Sequence, residues 1–197
     1  REAFYPCYGM AEATLIVTGG FVPQQPVVKK FDKRALAKNR ALPPQSGQQT
    51  LQLVGCGKSL PDQSVRIVDP ESRTEKAEGE IGEIWASGPS IAHGYWQQPE
   101  ETENAFNAYL ADSETGPFLR TGDLGFLLDG ELFVTGRIKD LIIIRGTNHY
   151  PQDIERTVEG VHPSLQGVGG AAVSIDVNDD EQLVIIHEIQ RSYRDLN

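Results

Sequence analysis

Asp123 and Arg137 carry a carboxylate and a guanidinium that could bind the same ligand. Asp123 follows a Thr-Gly pair, and two apolar runs between it and Arg137 are separated by Asp129-Gly130, a dipeptide typical of a type I′ hairpin turn. We therefore expect Asp123, on a tight turn, and Arg137 near the open ends of one hairpin. A carboxylate there offers two acceptor oxygens to the adjacent hydroxyls of a ribose, and a guanidinium offers several donors to a hydroxyl or phosphate. The pair predicts half of a nucleotide site.

A second group of candidate ligand-binding residues lies near the start of the chain, in the run Tyr8-Gly9-Met10-Ala11-Glu12. Glycine lets backbone approach a ligand closely, a tyrosine ring can stack on a flat base, and a glutamate carboxylate is an oxygen ligand suited to Mg²⁺. Taken alone, the run is more typical of an ordinary turn with a solvated carboxylate.

Composition limits the classes of function that the chain can have. With 197 residues, 39% hydrophobic and 23% charged, it is typical of a globular protein with a core. A net charge of -10 argues against nucleic-acid binding, so any nucleotide would be a small ligand. Cys7 and Cys56 have no metal-like spacing and fit a reducing, cytoplasmic location, although a disulfide between them stays open. The apolar runs are too short for a membrane span.

Short strands with Gly and Pro between them must position these residues. Strands are expected over 65–70 and 80–88, and with the hairpin they indicate a small antiparallel sheet or barrel. Pro99, followed by acidic residues, predicts a helix that runs to about Tyr109.

The segment from about 18 to 60 differs in character from the rest of the chain. It is rich in Pro, Gln and Gly, and Phe31 to Leu42 is its only helix-like portion, so we interpret it as a surface insertion. It contains a run of basic residues with Asp32 as the one acidic residue among them. The basic residues are Lys29, Lys30, Lys33, Arg34, Lys38 and Arg40. Such a run is most typical of a solvated face, and the alternative is a contact surface for an acidic partner.

The last part of the chain predicts a separate small α/β unit. Leu141 to Ile144 is typical of a buried strand, Pro151 opens a helix, and strands are expected over 170–175 and 183–189. The boundary of this unit is expected near Lys139.

Several motifs in fixed order resemble the adenylate-forming enzymes, and in detail the fatty acyl-AMP ligases. They are the Tyr8–Glu12 run, TGD at 121–123, GRIKD at 136–140 and RGTNHYPQDIE at 145–155. The likeness covers nearly the whole chain, and four ordered motifs are far more specific than a single glycine pattern. The resemblance implies a protein that activates a fatty acid with ATP and Mg²⁺ to an acyl-adenylate. It then passes the acyl group to the phosphopantetheine thiol of an acyl carrier protein.

The resemblance also implies a role for each residue of the first motif. Tyr8, Gly9 and Met10 would belong to the nucleotide site, with Tyr8 and Gly9 lining the adenine pocket. Glu12 would be the catalytic residue that helps to hold Mg-ATP. Many relatives have Thr where this chain has Ala11, and the change removes one contact to the α-phosphate.

In the later motifs the resemblance assigns nucleotide binding and domain movement. Asp123 would clamp the ribose with support from Arg137. Lys139 would be the hinge about which a C-terminal domain turns, and Gly146 would lie on the loop that enters the site during thiol transfer.

For the fold, the resemblance implies a mixed α/β chain that is part of something larger. Residues 1–138 would be a small distorted antiparallel β-barrel, the third subdomain of the large adenylation domain. Residues 139–197 would be the start of a small α/β C-terminal mobile domain. Both ends look cut, and a phosphate loop before residue 1 and a catalytic lysine after residue 197 are expected. The alternatives are an acyl-CoA ligase or another adenylation domain, or a non-catalytic interaction module.

Overall fold

The computed structural model describes residues 4–20, 25–145, 147–177 and 180–193, and of Asp180 only the backbone. The chain divides into two compact units, Arg1–Ile138 and Lys139–Asn197. In the first unit the strands are β1 (Cys7–Met10), β2 (Leu15–Gly19), β3 (Val28–Asp32), β4 (Thr50–Val54), β5 (Lys58–Ser59), β6 (Ser64–Val68), β7 (Gly82–Ser87), β8 (Leu119–Leu128) and β9 (Glu131–Arg137). Its helices are α1 (Lys33–Leu36) and α2 (Pro99–Phe106).

The strands of the first unit form three antiparallel sheets with the orders β1-β2-β5, β3-β4 and β6-β7-β8-β9. The predicted mixed α/β fold is confirmed. The predicted distorted barrel does not close, because each antiparallel sheet is open among the described residues. The main core of the first unit is an apolar cluster from several strands that includes Val17, Ile67, Ile84, Leu119 and Leu132. Burial of such side chains is the main force that holds the strands together.

The β8–β9 hairpin forms around the predicted turn. Asp129 and Gly130 both have positive φ, 56° and 75°, as a type I′ turn requires, and Leu128 pairs with Glu131 across it. β8 is longer than the apolar run suggested, because it continues back to Leu119 and pairs with β7 as well as β9. This hairpin carries the predicted nucleotide residues Asp123 and Arg137.

The expected helix over Phe31–Leu42 is wrong for most of its length. Residues Val28–Asp32 form β3, and the helix is one turn, α1, with Asp32 as its N-cap. The Asp32 carboxylate accepts from the Ala35 N–H at 2.8 Å. Phe31 is the reason for the strand, since its buried ring meets the edges of Phe126 and Phe133 at 5.2 and 5.6 Å between centroids. The segment is therefore packed onto the β8–β9 hairpin.

Helix α2 begins at Pro99 as predicted but ends at Phe106, before Tyr109. Phe106 is buried, and its ring meets Tyr95 edge to face at 5.1 Å between centroids. This contact fastens the helix to the loop in front of it.

In the second unit the strands are β10 (Ile142–Ile144), β11 (Thr147–His149), β12 (Gly170–Val177) and β13 (Asp180–His187), and the helix is α3 (Pro151–Glu159). β10 pairs with β11, β12 pairs with β13, and α3 packs against β12. The buried-strand interpretation of residues 141–144 is wrong in part. Only Ile142 is buried and Ile143 is 45% exposed, because successive side chains of a strand point to opposite faces of the sheet.

The described residues contain no helix that is a candidate for a membrane span. None of the helices there has both the length and the apolar character that a membrane span needs.

Candidate nucleotide site

A bulge in β8 places Asp123. Glu83 of β7 pairs with Leu124 and Trp85 pairs with Arg120, so the three residues 121–123 of β8 oppose Ile84 alone. The sequence predicted Asp123 on a tight turn after Thr-Gly, and this is wrong because the Thr-Gly pair lies inside a continuous strand. Bulges re-aim side chains next to functional sites, and here the re-aimed side chain is the candidate carboxylate.

The bulge explains why Thr and Gly precede the aspartate. The Thr121 hydroxyl donates to the Ile84 carbonyl at 2.7 Å and accepts from the Asp123 N–H at 3.1 Å, which replaces ladder hydrogen bonds that the bulge removes. Gly122 has a φ of 72°, a left-handed conformation that glycine adopts without strain. Its carbonyl accepts from the Ile138 N–H at 2.9 Å.

Glu83 completes the bulge, and the sequence analysis missed it. This carboxylate is 2% exposed, and its Oε1 accepts from the Gly122 N–H at 3.2 Å. Its Oε2 accepts from Trp85 Nε1 at 2.9 Å and from Arg120 Nε at 3.0 Å. An acidic residue inside the otherwise apolar strand Gly82–Ser87 was the signal that could have found it.

Asp123 is held between one buried and one exposed partner. Tyr8 donates its hydroxyl to Asp123 Oδ2 at 2.7 Å, and Arg137 donates Nε–H to Oδ1 at 3.1 Å. The Asp123 side chain is 12% exposed, whereas that of Arg137 is 71% exposed. Two of the predicted residues are thus cross-strand neighbours, and a third reaches them from β1. Carboxylate oxygens have further lone pairs, so both can still accept from a ligand hydroxyl.

Tyr8 has a structural position that its predicted role did not include. Its ring is buried in the main core cluster, and burial raises the pKa of its hydroxyl far above the usual value, with Asp123 raising it further. Tyr8 is therefore neutral and remains a donor to Asp123 at physiological pH. This geometry makes Tyr8 a positioning residue for Asp123, and base stacking by Tyr8 stays a prediction.

Gly9 and Met10 lie beside Tyr8 on β1. A Cβ on Gly9 would lie 1.4 Å from the Leu15 carbonyl oxygen, so the close approach of β1 to β2 requires glycine there whatever its role toward a ligand. Met10 is half-buried and packs against the core cluster. Contacts of either residue with a nucleotide stay predictions.

Glu12 lies on a 3-10 turn, Ala11–Ala13, directly after β1. Tyr95 donates its hydroxyl to Glu12 Oε1 at 2.9 Å, and the Ala92 N–H donates to the Glu12 carbonyl at 2.8 Å. Burial raises the pKa of Tyr95, and so does the Glu12 carboxylate. No group of three or more His, Cys, Asp or Glu side chains in the described parts of the chain could hold a metal ion. Glu12 fits Mg²⁺ as one carboxylate ligand beside phosphate oxygens, a common arrangement for this ion.

The remaining predicted residues lie at or beyond the division of the chain. Lys139 is exposed and is the first residue of the second unit. Gly146 lies outside the described residues.

Cys7 and Cys56 are both free thiols, which resolves the question of a disulfide between them.

Comparison with known proteins gives a family match for the first part of the chain and similar proteins over nearly all of it. Residues 1–96 match the AMP-binding enzyme family. The chain is 49% identical over 197 residues to a medium-chain-fatty-acid–[acyl-carrier-protein] ligase, JamA, of Moorena producens, covering 98% of this chain and 33% of that protein.

Two solved structures agree with this result. One fatty acyl-adenylate ligase, from work on the E. coli and L. pneumophila enzymes, is 36% identical with a TM-score of 0.80 and covers 97% of this chain and 33% of its own. The L. pneumophila fatty acyl-adenylate ligase in complex with acyl adenylate and pyrophosphate is 43% identical with a TM-score of 0.68, covering 98% of this chain and 34% of its own.

The chain spans about a third of the length of the curated relatives that it matches, as the 33% coverage of JamA shows. The match extends over nearly all of this chain. Residues 1–96 accordingly match the AMP-binding enzyme family, and the chain as a whole is similar to the fatty acyl-AMP ligases.

Proposed function

We propose that the full-length protein containing this chain activates a fatty acid with ATP and transfers the acyl group to an acyl carrier protein. The proposal is supported by the relatives named above, which include a fatty-acid–acyl-carrier-protein ligase and a fatty acyl-adenylate ligase in complex with acyl adenylate. Residues 1–138 would be part of the large adenylation domain, and residues 139–197 would begin the mobile C-terminal domain.

The observation that carries the proposal is the fixed carboxylate of Asp123. Its two oxygens are oriented by Tyr8 at 2.7 Å and Arg137 at 3.1 Å, on a bulge whose polar groups are satisfied by neighbouring side chains. A carboxylate held in this way can accept from the two adjacent hydroxyls of a ribose with little reorganisation. Arg137, being exposed, is free to add a donor to a ribose hydroxyl or a phosphate.

The reaction that follows is two substitutions. In the first, a fatty carboxylate oxygen attacks the α-phosphorus of ATP, the bond to the β-phosphate oxygen breaks, and pyrophosphate leaves with that electron pair. In the second, a carrier thiolate, having lost its proton, attacks the acyl carbonyl carbon, and AMP leaves. The contribution of this chain to the first step is to fix the nucleoside end of ATP, because positioning supplies much of the acceleration of such a step.

Glu12 would hold Mg²⁺ together with phosphate oxygens, and the ion would neutralise charge on the departing pyrophosphate when bound. Tyr95 orients this carboxylate through its hydroxyl at 2.9 Å. Tyr8, Gly9 and Met10 would line the adenine end of the site.

For the second step we propose that Lys139 is the hinge and that Gly146 lies on the loop that enters the site. The division of the chain between Ile138 and Lys139 supports a hinge at this point. A cytoplasmic location is part of the proposal and is supported by two free cysteines.

The test is product analysis with the full-length protein. Fatty acids of medium and long chain are incubated with ATP and Mg²⁺, and then with either a phosphopantetheinylated carrier protein or CoA. We expect acyl-AMP and pyrophosphate in the first stage and acyl-carrier in the second, both detected by mass spectrometry. Production of ADP and phosphate in place of AMP and pyrophosphate, or no acyl-AMP with any fatty acid, would refute the proposal.

A further inference from the structure

Glu83 is a buried charge that the proposed reaction does not use directly. It is 2% exposed on β7, in the four-stranded sheet of the first unit. A buried carboxylate is costly unless it is paired and its oxygens are hydrogen-bonded, so its presence in a strand of apolar residues needs a reason.

The two oxygens of Glu83 have separate partners. Oε2 accepts from Trp85 Nε1 and forms an ion pair with Arg120, whose Nη2 is 2.8 Å away. Arg120 also lies over the Trp85 ring at 5.6 Å from its centroid and donates to the Pro70 carbonyl at 3.4 Å. These contacts neutralise and orient the carboxylate, which leaves Oε1 directed at one backbone group, the Gly122 N–H.

That backbone group belongs to the residue directly before Asp123. The bulge turns the Gly122 N–H away from the strand ladder, and Glu83 is the acceptor that keeps it there. On its other side Asp123 is oriented by Tyr8 and Arg137. Asp123 is thus fixed through both its backbone and its side chain.

We infer that Glu83 is a positioning residue for the nucleotide site, acting on the ribose through the Gly122 N–H and Asp123. The inference rests on the proposed function, because it needs Asp123 to bind the ribose. Glutamine at position 83 has nearly the same shape but cannot accept from Gly122 at one end and from Trp85 and Arg120 at the other, since its amide nitrogen only donates. Glu83→Gln therefore breaks one end of the arrangement with little change in volume.

The test compares ATP with 2′-deoxy-ATP and 3′-deoxy-ATP in the full-length protein, with the ratio of the deoxynucleotide KM to the ATP KM as the readout. The wild type should prefer ATP by about tenfold or more, as charge-assisted hydrogen bonds allow. Asp123→Ala should bring the ratio close to one. Glu83→Gln should lower the ratio by at least about threefold, because a displaced Asp123 keeps only part of the strength of its hydrogen bonds to the ribose. Loss of folded protein lowers kcat with every nucleotide alike, so it does not move this ratio.

A packing control comes from Phe118, which contacts the Trp85 ring at 6.1 Å between centroids and whose backbone hydrogen bonds go to Ala108. Phe118→Leu should lower stability and keep the wild-type ratio. If Glu83→Gln does not yield folded protein, Arg120→Gln takes its place in the test. This substitution removes the positive charge that orients Glu83, and the Arg120 side chain is 26% exposed whereas that of Glu83 is 2% exposed. It should lower the ratio in the same direction.

The outcomes separate the two claims. A wild-type ratio in Asp123→Ala would refute ribose binding by Asp123 and the inference with it. A collapsed ratio in Asp123→Ala with an unchanged ratio in Glu83→Gln, or in Arg120→Gln where that variant is used, would overturn the inference and leave the proposed function standing.

Discussion

The β12–β13 ladder and the ladders around Asp123 are both antiparallel, but only the first is regular. β12 and β13 are each eight residues long and pair throughout without a shift. β8 shifts against β7 between Glu83 and Trp85, and it shifts against β9 between Leu124 and Gly125. In both places a threonine hydroxyl bonds to a backbone carbonyl across the shift, Thr121 to Ile84 and Thr135 to Leu124.

The difference shows where this chain departs from ideal strand geometry. A regular ladder satisfies its own backbone groups and needs no particular side chain to do so, whereas a bulge needs side chains that replace the lost bonds. None of the predicted site residues lies on β12 or β13. Irregularity, with the residue types that support it, coincides with the candidate carboxylate.

The largest expected effect concerns the aromatic support of the irregular hairpin. Phe31→Ala should lower the free energy of unfolding by about 3–5 kcal/mol, because it removes a buried ring that packs edge to face against the stacked rings of Phe126 and Phe133. Ile175→Ala, on the regular ladder, should cost much less, since Ile175 is 46% exposed. Denaturant unfolding of the full-length protein measures both. Equal losses would show that β3 is not a support of the hairpin.

A smaller effect is expected from one hydroxyl of the bulge. Thr121→Val should cost about 1–3 kcal/mol, because the Ile84 carbonyl and the Asp123 N–H lose their shared partner. The matched control is Thr157→Val on helix α3, where the exposed hydroxyl donates to the Asp153 carbonyl. This substitution should change the free energy of unfolding by no more than about 0.5 kcal/mol. Thermal or denaturant unfolding compares them. A neutral Thr121→Val would contradict the role given to the bulge.

The smallest effect is a dependence on alkaline pH. Because the folded-state pKa of Tyr8 is raised, its contribution to stability is fully present below about pH 10, the usual tyrosine pKa, and is lost as pH rises toward the folded value. Tyr8→Phe keeps the ring and removes this dependence. Unfolding at about pH 9 and about pH 11 should show a smaller loss in Tyr8→Phe than in the wild type. An exposed-ring control, Tyr109→Phe, should leave the wild-type slope unchanged.

Much of this architecture could be predicted from the sequence because it depends on local signals. Asp129-Gly130 specified the hairpin turn, and Pro99 and Pro151 marked the starts of α2 and α3. The proximity of Asp123 and Arg137 followed from that hairpin.

The parts that could not be predicted depend on contacts between distant residues. Phe31 is in a strand because of rings about a hundred positions later, as its contacts with Phe126 and Phe133 show, and not because of its neighbours. The bulge at Gly122 depends on Glu83, and the orientation of Asp123 depends on Tyr8, so neither is visible in the Thr-Gly-Asp motif alone.

The most direct test of the account is the affinity of the full-length protein for ATP with the same substitution made on each ladder. Asp123→Ala should weaken ATP binding by about 1.5–3 kcal/mol for each ribose hydrogen bond lost, measured by calorimetry with Mg²⁺ present. Asp176→Ala, an exposed aspartate on the regular β12 strand, should leave the affinity unchanged. Unchanged affinity in Asp123→Ala, or an equal loss in both variants, would contradict the assignment of Asp123 to the nucleotide.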